Sequence, residues 1–407
     1  MGIQVVTTSG SGVALSNAVR ARYIADYLEG AMPERLYDQL ASPIAKDMSR
    51  VAEGSSVQVN FLSSMQPGTS AISEVVDITP QTLTDATATL TPTSRAEGLK
   101  ASELLMLQEY TGYGAKQFKR IGENMMETVE ILARDAATQG SWVERNAATR
   151  NVLDAGATGH RADDAVFMDI SGALSTMKVP GYKDPKNGST THLAITHPHV
   201  YHDILQSGNV VAVGQYQNQS ILFNHELGSL SGFRLVVSPF AKVFMGAGAD
   251  NAKVVDTVCA NAILPLDKVF TISSTSSVEY GKYLVVGTEE TGSTTHYPKN
   301  EQIKYVSLSA KVITLIGQGS NGGFRYSHDA GTAVRNADSA YTIIVGGPES
   351  LAKVYQPDVG VFGQIIGLRR RGSADQWVEL TWKWYGGYAR LRESGILRQE
   401  VSVSAEA

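Results

Sequence analysis

Four histidines and one aspartate lie close together in the segment THLAITHPHVYHD. They are His192, His197, His199, His202 and Asp203. Imidazole nitrogens and carboxylate oxygens bind zinc, which requires three or four ligands that converge on one point. No cysteine lies nearby, and the proline that follows His197 predicts the start of a helix. The pattern therefore favours capping and packing roles at a strand-to-helix turn over a metal site.

A glycine-rich string matches the G-x-G-x-x-G spacing of dinucleotide-binding loops. It runs from Gly317 to Gly322 and follows a predicted strand, but the residues after it, GFRYSH, are typical of another strand. A dinucleotide site needs a helix at that point, because the amino end of the helix receives the pyrophosphate. The string therefore predicts a hairpin loop, and we expect no cofactor.

Residues for nucleophilic or acid–base catalysis find little support. Cys259 is the only cysteine and lies in an apolar run, which predicts a small buried side chain. The adjacent carboxylates at 163–164 and 289–290 point in different directions on regular structure, which makes them poor acid–base pairs. No G-x-S-x-G turn occurs in the sequence. We therefore expect that the protein is not an enzyme.

The concentrated basic charge of the sequence is the run Arg369-Arg370-Arg371. It falls in the polar turn RRRGSADQ, between long strands predicted at Val361–Leu368 and Trp377–Tyr385. In the second strand apolar residues alternate with polar ones, which predicts one buried face and one polar face. Three cations at a hairpin tip suit a carboxylate or phosphate on a neighbouring subunit or on DNA. An ordinary solvated turn is the alternative.

The composition of the 407 residues narrows the class of protein. Apolar residues make up 43% and the net charge is -5, which is typical of a globular chain and not of a dedicated nucleic-acid binder. No stretch approaches about 18 consecutive apolar residues, so we expect no membrane span. A single cysteine suits synthesis in a reducing cytoplasm.

The segment 55–95 predicts a long two-stranded ribbon. Val57, Val59 and Phe61 alternate with polar residues, Pro67-Gly68 marks a turn, and a threonine-rich strand returns. A ribbon of about 40 residues cannot bury enough apolar surface to be stable alone. Its apolar face is therefore expected to lie on another subunit or partner.

The region 101–140 predicts the strongest helix of the chain, with breaks at glycines in its first half. Its apolar stripe consists of Ile121, Met125, Val129, Leu132, Ala133 and Ala136. On the opposite face Arg120 precedes Glu123 by three residues, and Glu130 precedes Arg134 by four. Such pairs predict a solvent-exposed or inter-subunit side.

Strands and helices alternate from 164 to 240, with helices predicted at Asp164–Met177 and from Pro198, and a strand at Phe233–Val237. This alternation predicts a compact α/β unit. The helical signal then disappears for about a hundred residues. The strands predicted there are Lys253–Val258, Tyr283–Val286, Ile303–Leu308 and Lys311–Ile316. They indicate an inserted all-β domain at 241–345.

Several stretches together resemble the major capsid proteins of tailed bacteriophages, and most closely the branch typified by N-four-like short-tailed phages. They include the ribbon, the helical stretch YGAKQFKRIGENMMETVEILARDAATQGSWVERN, the stretch NHELGSLSGFRLVVSPF and the terminal GLRRRGSADQWVELTWKWYGGYARLRESGILRQEVS. The segment 241–345 is less diagnostic.

The resemblance implies an α+β chain with the Hong Kong phage fold. Its parts would be an N-terminal arm (1–54), an extended β loop (55–98), a peripheral domain with a long spine helix (99–191), the first part of an axial domain (192–240), an all-β insertion (241–345), and a return through the axial domain to a peripheral β hairpin (346–407).

The resemblance also implies a function. The chain would self-assemble into pentamers and hexamers of the icosahedral head that encloses a double-stranded DNA genome. It would be made in the host bacterial cytoplasm and reside in the virion. Its partners would be other copies of itself, the portal protein, scaffold and decoration proteins, and packaged DNA through weak non-specific contact, with no membrane. Candidate inter-subunit residues are Val57, Val59, Phe61, Arg120, Glu123, Glu130, Arg134, Arg369, Arg370 and Arg371.

Some relatives join their subunits by an isopeptide bond from a lysine on the extended loop. No lysine occurs between Lys46 and Lys100, so we expect a non-covalent shell, strengthened by the β insertion or by a decoration protein. One alternative is a β-rich phage decoration, adhesion or carbohydrate-binding protein, which would not explain the ribbon or the spine helix. The other is a soluble α/β enzyme, for which no convergent set of residues is present.

Overall fold

The computed structural model describes residues 36–43, 56–62, 65, 67–69, 80–102, 113–183, 190–207, 210–212, 226–249, 257–274, 283–288, 299–309, 311–315, 323–335, 337–348, 350–355, 364–371 and 377–406. The fold is mixed α+β, with few helices and many strands, as predicted. The chain divides into two compact units. The first unit comprises 1–133 and 349–392, and the second comprises 134–348 and 393–407.

The described helices are α1 (Tyr113–Thr138), α2 (Asp164–Thr176) and α3 (Pro198–Gln206), with short 3-10 turns at Tyr37–Gln39, Arg150–Val152, Thr158–His160, Glu393–Gly395 and Ser404–Glu406. The strands are β1 (Ala41–Pro43), β2 (Val57–Leu62), β3 (Asp85–Leu90), β4 (Thr93–Ser102), β5 (Val143–Arg145), β6 (Tyr182–Lys183), β7 (Thr190–Thr196), β8 (Val211–Ala212), β9 (Glu226–Leu230), β10 (Phe233–Val237), β11 (Val243–Phe244), β12 (Thr257–Val258), β13 (Val269–Thr271), β14 (Tyr283–Val286), β15 (Glu301–Ser309), β16 (Val312–Leu315), β17 (Ala333–Arg335), β18 (Ala340–Gly346), β19 (Leu351–Tyr355), β20 (Gln364–Arg371), β21 (Trp377–Arg390) and β22 (Ile396–Val401). No helix in these ranges is long and apolar enough to cross a membrane.

The first unit contains a five-stranded sheet in the order β1-β19-β21-β20, with β4 also paired to β21. In its central strand β21, apolar residues alternate with polar ones, as predicted, so one face of the strand is apolar. That face packs on the apolar stripe of α1. The buried contact consists of Ile121, Met125, Val129, Leu380, Trp382 and Trp384. The predicted amphipathic helix is therefore confirmed, and its stripe anchors it to the sheet.

The predicted start of the helical region near residue 101 is wrong. Strand β4 occupies Thr93–Ser102 and pairs antiparallel with β21, from Thr93 opposite Gly386 to Ser102 opposite Trp377. A ten-residue ladder on a central strand outweighs the weak local preference for helix in this segment. Strand β4 also runs across the predicted loop boundary at residue 98.

A separate two-stranded sheet forms the predicted ribbon. Strands β2 and β3 pair antiparallel, with Val57 opposite Leu90 and Leu62 opposite Asp85.

The second unit is built on a nine-stranded sheet. Its order is β5-β22-β18-β7-β10-β9-β8, with β11 on β18 and β6 on β7. Strand β18 lies between β22 and β7, and all seven of its residues are buried. The helices α2 and α3 cover one face through Phe167, Ile170, Leu174, Val200 and Ile204. Both predicted helices and the strand Phe233–Val237 are confirmed.

Six further strands of the second unit close into a barrel. Their order is β12-β17-β14-β15-β16-β13, and a bridge between Cys259 and Ile272 joins the first strand to the last. The closing hydrogen bonds run from Ala260 N–H to Thr271 O at 2.8 Å and from Ser273 N–H to Val258 O at 3.0 Å. A buried core fills the interior. It consists of Cys259, Ile263, Phe270, Ile272, Leu284, Val286, Ile303, Ile313, Leu315, Phe324 and Val334.

The barrel strands fall within 257–335, a narrower range than the predicted insertion 241–345. The difference arises because β11 and β18 pair within the nine-stranded sheet. The chain leaves for the barrel and returns from it at one place. Gly248 N–H donates to Asp338 O at 2.7 Å, and Asp338 N–H donates to Ala249 O at 3.4 Å. We call this pair of adjacent segments the neck.

Candidate functional site

The base of the ribbon packs against its own chain. Val57 is half-buried and lies with Leu90 against Ala352 and Val354 of β19. The prediction that the whole apolar face waits for another subunit is therefore wrong at Val57. A strand of the same unit lies beside it and removes this part of the face from water.

The prediction stays open for the other two members of that face. Val59 lies opposite Ala88 and is half-buried. Phe61 lies opposite Ala86 in the ladder, and its side chain is outside the described residues.

Larger exposed apolar side chains lie on the ribbon segment beyond the paired strands. Met65 is 63% exposed and Leu83 is 46% exposed. Neither residue was predicted to be a contact residue, because neither belongs to an alternating pattern. The sequence feature that could have identified them is a large apolar residue isolated among polar residues in a long ribbon. Among the described residues of the ribbon, these two are the large apolar side chains that are exposed.

The charged pair nearest the start of α1 is exposed, as predicted. Arg120 Nη1 lies 2.8 Å from Glu123 Oε2, and the Arg120 side chain is 71% exposed. The pair lies where a neighbouring molecule could reach it.

The second charged pair is buried, so the predicted exposed or inter-subunit role is wrong for it. Glu130 is fully buried, and its Oε1 accepts hydrogen bonds from the N–H groups of Leu36 and Tyr37, both at 2.9 Å. These amides begin a 3-10 turn and lack partners within it, which is why a carboxylate is stable here. Glu130 therefore anchors the segment 36–43 in the first unit.

Arg134, the other member of that pair, is 6% exposed in the second unit. Its guanidinium donates to Asp135 Oδ1 at 2.7 and 2.9 Å and to Phe240 O at 3.2 Å. Helical spacing alone could not show this role, because Phe240 is more than a hundred residues away. Arg134 ties the end of α1 to the loop that follows β10.

Strand β4 forms an exposed edge of the five-stranded sheet. Its residues from Thr93 to Lys100 are all exposed, including Leu99 at 42%. Among the strands that the structure describes, β21 is its single partner. Lys100 Nζ lies 4.5 Å from the centre of the Trp377 ring, which is itself partly exposed. The edge therefore offers main-chain groups together with charged and apolar side chains.

The arginine run lies in a strand, so its predicted place in the turn is wrong. Arg369, Arg370 and Arg371 end β20 and pair with Glu379, Val378 and Trp377 of β21. A register shift between Ile366 and Arg369 lets β20 continue to the first residues of β21. The arginine side chains are outside the described residues.

The histidine segment has the capping role that the sequence favoured. His197 Nδ1 accepts a hydrogen bond from His199 N–H at 3.2 Å and caps α3. Burial lowers the pKa of His197 to about 3, so the ring is neutral and can accept this bond. His202 is exposed, 3.6 Å from Asp203. Within the described ranges, no three His, Cys, Asp or Glu side chains are grouped to hold a metal ion.

The remaining residues with catalytic potential have structural roles or lie outside the described residues. Cys259 is buried in the barrel, and burial raises the pKa of its thiol to about 11, which disfavours the reactive thiolate. Asp163 caps α2 by accepting from Val166 N–H at 3.1 Å. The glycine string 317–322 and the pair 289–290 both lie outside the described residues.

A buried carboxyl group that was not predicted from the sequence joins the barrel to the nine-stranded sheet. Glu406 accepts hydrogen bonds from Ser339 N–H at 2.6 Å, from the Tyr341 hydroxyl at 2.7 Å and from the side-chain amide of Gln302 in β15. Burial raises the pKa of Glu406 to about 7. No sequence signal marked it, because it lies in a short turn next to the end of the chain.

A second buried carboxylate binds several arginines beside that sheet. Glu400 on β22 accepts from Arg145 at 2.7 Å and from Arg150 at 3.0 Å, and it lies 3.1 Å from Arg398. Burial opposes its ionisation, but the hydrogen bonds and charges of these arginines hold its pKa below the ordinary value. The site is a structural ion network, since Glu400 is inaccessible to solvent.

Comparison with known proteins identifies the fold. No protein-family profile and no curated protein sequence matches the chain. A chain of the capsid of Ralstonia phage GP4 matches with a TM-score of 0.53 and 9% identity, covering 86% of this chain and 84% of that chain. A chain of the cyanophage Pam1 capsid has a TM-score of 0.48 at 12% identity, covering 99% and 98%. A chain of the cyanophage P-SCSP1u capsid has a TM-score of 0.47 at 10% identity, covering 97% and 92%.

The GP4 match shows the fold of the chain. The chain has the mixed α+β fold of phage capsid subunits, and it contains a long helix packed on a five-stranded sheet, a two-stranded ribbon and a nine-stranded sheet. At 9% identity the likeness concerns the fold alone.

Proposed function

We propose that this chain is the major capsid protein of a tailed bacteriophage with the Hong Kong phage fold, in the branch of N-four-like short-tailed phages. It would form pentamers and hexamers of the icosahedral head around a double-stranded DNA genome, and it would have no catalytic role. The observation that carries the proposal is the fold likeness to the GP4 capsid chain, which extends over most of both chains.

The proposed mechanism is heterologous self-association, in which unlike surfaces of identical copies meet. Repeated contacts of this kind close rings, and rings then close into a shell. The ribbon would reach a neighbour and bury Met65 and Leu83 there. Complete burial of one such side chain contributes about 1.5–3 kcal/mol, so each contact is modest. Many identical contacts make the shell stable.

Other exposed groups would add specificity to these contacts. Arg120 and Glu123 can pair with charges on a neighbour instead of with each other. The arginines at 369–371 would contact a neighbouring carboxylate or the packaged DNA. The net charge of -5 suits a container wall, because strong attraction to phosphates would hinder packaging and ejection.

Further partners would be the portal protein, scaffold and decoration proteins, with assembly in the host cytoplasm and residence in the virion. The absence of lysine between Lys46 and Lys100 supports a non-covalent shell. Purified particles boiled in denaturant with reductant should give one monomer band on a gel. A ladder of covalent multimers would contradict this part of the proposal.

Electron microscopy of the purified protein tests the main proposal. We expect the wild-type chain to form uniform shells, with or without a co-expressed scaffold protein. A shortened ribbon in which the two-residue turn Asn-Gly replaces 63–84 retains the pairs from Val57–Leu90 to Leu62–Asp85, so the subunit should fold. It should not form shells, because the distal ribbon is missing.

A milder variant, Met65→Gln with Leu83→Gln, should reduce the yield of shells. Leu205→Gln is the matched control, since Leu205 is 47% exposed on α3 and belongs to no proposed contact. If the variant with the shortened ribbon forms normal shells, the distal ribbon has no part in the proposed mechanism. Monodisperse wild-type monomers under all assembly conditions would oppose the function itself.

A further inference from the structure

The outside of the barrel carries a concentration of exposed apolar side chains. They are Val258 (39% exposed), Leu264 (64%), Leu266 (50%), Val269 (51%) and Val312 (37%). Together they expose an area on the order of 400 Å², the size of apolar patch that commonly marks an interaction site. We call these five residues the barrel face.

The strand register makes the barrel face continuous. Thr271 lies opposite Val312, and Val269 precedes Thr271 by two residues, so all three point to the same side of the sheet. Phe270, between them, is 5% exposed and points into the core. Val258 joins this surface through the hydrogen bond from Ser273 that closes the barrel.

The two leucines lie on the turn that leads into β13. Leu266 has a φ of +75°, a conformation that is unfavourable for a branched side chain. Its N–H donates to Phe324 O at 2.7 Å, and the close approach of Gly323 to its backbone leaves no room for a Cβ there. The fold thus holds an apolar side chain in solvent at a conformational cost. Such an outlier points to a function that favours it.

The surroundings of the barrel face indicate what covers it. Both signs of charge border it, with Lys268 and Lys311 exposed and Asp267 half-buried. A nucleic-acid site would have a consistently basic border, whereas a mixed border can complement itself. The barrel is also closed, so no strand can be added to it. A partner must therefore bind through side chains.

We propose that the barrel face is a two-fold contact between the barrels of two copies of this chain. In a two-fold contact each residue meets the same surface on its partner, so Leu264 would lie near its own symmetry mate. Two such faces bury roughly 800 Å² in total, less than the 1,200 Å² or more of a stable isolated dimer. Between free copies the contact would thus be weak and transient, so that only a covalent reagent traps it. It would be stable where copies are already held together, and in this respect it rests on the proposed function.

Cross-linking at single introduced cysteines tests the contact. The native Cys259 is buried and should stay silent. Leu264→Cys in assembled particles, treated with a short bis-maleimide that adds to two thiols, should give a dimer band as the main product. Leu205→Cys is the matched control and should give none. A second substitution, Leu266→Asn, tolerates the positive φ and should lower the dimer yield at least about threefold.

The outcomes separate this inference from the proposed function. Normal shells without a Leu264→Cys dimer, or with cross-links only to a different protein, would overturn the barrel contact and leave the function standing. If the chain forms no shells, the proposed function fails, and the same reaction on concentrated soluble protein decides the contact. A dimer there supports the contact, and its absence overturns it.

Discussion

The barrel of the second unit and the five-stranded sheet of the first treat their strand edges in opposite ways. The bridge from Cys259 to Ile272 closes the barrel, so its main-chain groups are satisfied internally. Strand β4 leaves ten residues along an edge where Thr93–Lys100 are all exposed. The barrel can therefore contact other molecules through side chains alone, whereas the sheet can also offer its backbone.

The chain thus carries two kinds of surface in different units, an open strand edge in the first and an apolar side-chain surface in the second. The charges along β4, Arg95, Glu97 and Lys100, are the kind that protect an open edge from unspecific pairing. The barrel needs no such protection and exposes leucine and valine instead. Four changes test this contrast, and they are given in order of decreasing expected effect.

Phe324→Ala should break the barrel most severely. The ring is fully buried, with Phe270 at 5.3 Å and His328 at 5.5 Å between centroids. Removing it should cost about 3–5 kcal/mol, because a cavity remains in a small core. Hydrogen exchange should show lost protection in β13 and β15, with protection in β4 and β21 unchanged. Phe324→Leu is the control and should cost less. Equal loss in β21 would show that the two regions do not respond separately.

Raising the pH should weaken the junction between the barrel and the nine-stranded sheet. The pKa of Glu406 is about 7 in the folded chain against an ordinary 4.5, so the folded state binds more protons between these values. Its contribution is complete below about pH 4.5 and is lost as the pH rises through 7, on the order of 3 kcal/mol in total. Urea unfolding measured from pH 4.5 to 8 checks this.

The control for that prediction is Glu406→Gln, which stays neutral throughout. The ionisable groups next to Glu406 are Asp338, Tyr341 and Tyr283, and the two tyrosine pKa values are raised by burial. The difference in unfolding free energy between wild type and variant should therefore change over this pH range, while other titrations cancel. A constant difference would contradict the prediction.

Glu130→Ala should free the segment 36–43 in the first unit. Two amide hydrogen bonds to a buried carboxylate are lost, which should cost about 2 kcal/mol. Hydrogen exchange at Leu36 and Tyr37 and cleavage by a protease at low concentration measure the release. Glu130→Gln keeps an acceptor oxygen and should lose less. Unchanged protection of both amides in the alanine variant would rule out the anchoring role.

Arg120→Ala should change the unfolding free energy by less than about 0.5 kcal/mol. The side chain is mostly exposed, and exposed ion pairs contribute little. Thermal unfolding of the soluble subunit, compared with Glu123→Ala and the double variant, checks this. A larger loss of unfolding free energy would mean that the exposed side of α1 makes stabilising contacts within the subunit. A reduced yield of shells at unchanged stability would instead support its proposed inter-subunit role.

Much of the fold could be predicted because its elements carry local periodic patterns. The apolar stripe of α1 and the alternation of apolar and polar residues in β21 can each be recognised within one continuous stretch of sequence, and both predictions are confirmed. The burial of Glu130 could not be predicted in this way. Its partners lie more than ninety residues earlier, and the pattern of α1 is the same with or without them.

The candidate surfaces were harder to predict because they depend on the register and closure of strand pairs, which the residue types of the strands do not determine. The arginine run reads as a turn until the register shift in β20 is known. Barrel closure depends on the bridge between Cys259 and Ile272, and no residue pattern between these positions predicts that the first strand pairs with the last. The exposed leucines at 264 and 266 are apolar residues in an apolar run, and only the fold distinguishes them from core.

The neck has a consequence for how such a chain can change over time. Because Gly248 and Asp338 are hydrogen-bonded neighbours, a short turn could replace the entire barrel without moving any strand of the nine-stranded sheet. The barrel is therefore an insertion that can be exchanged as a unit. A genome could gain, lose or exchange it in one recombination event, and an engineer could install a foreign domain at the same two residues.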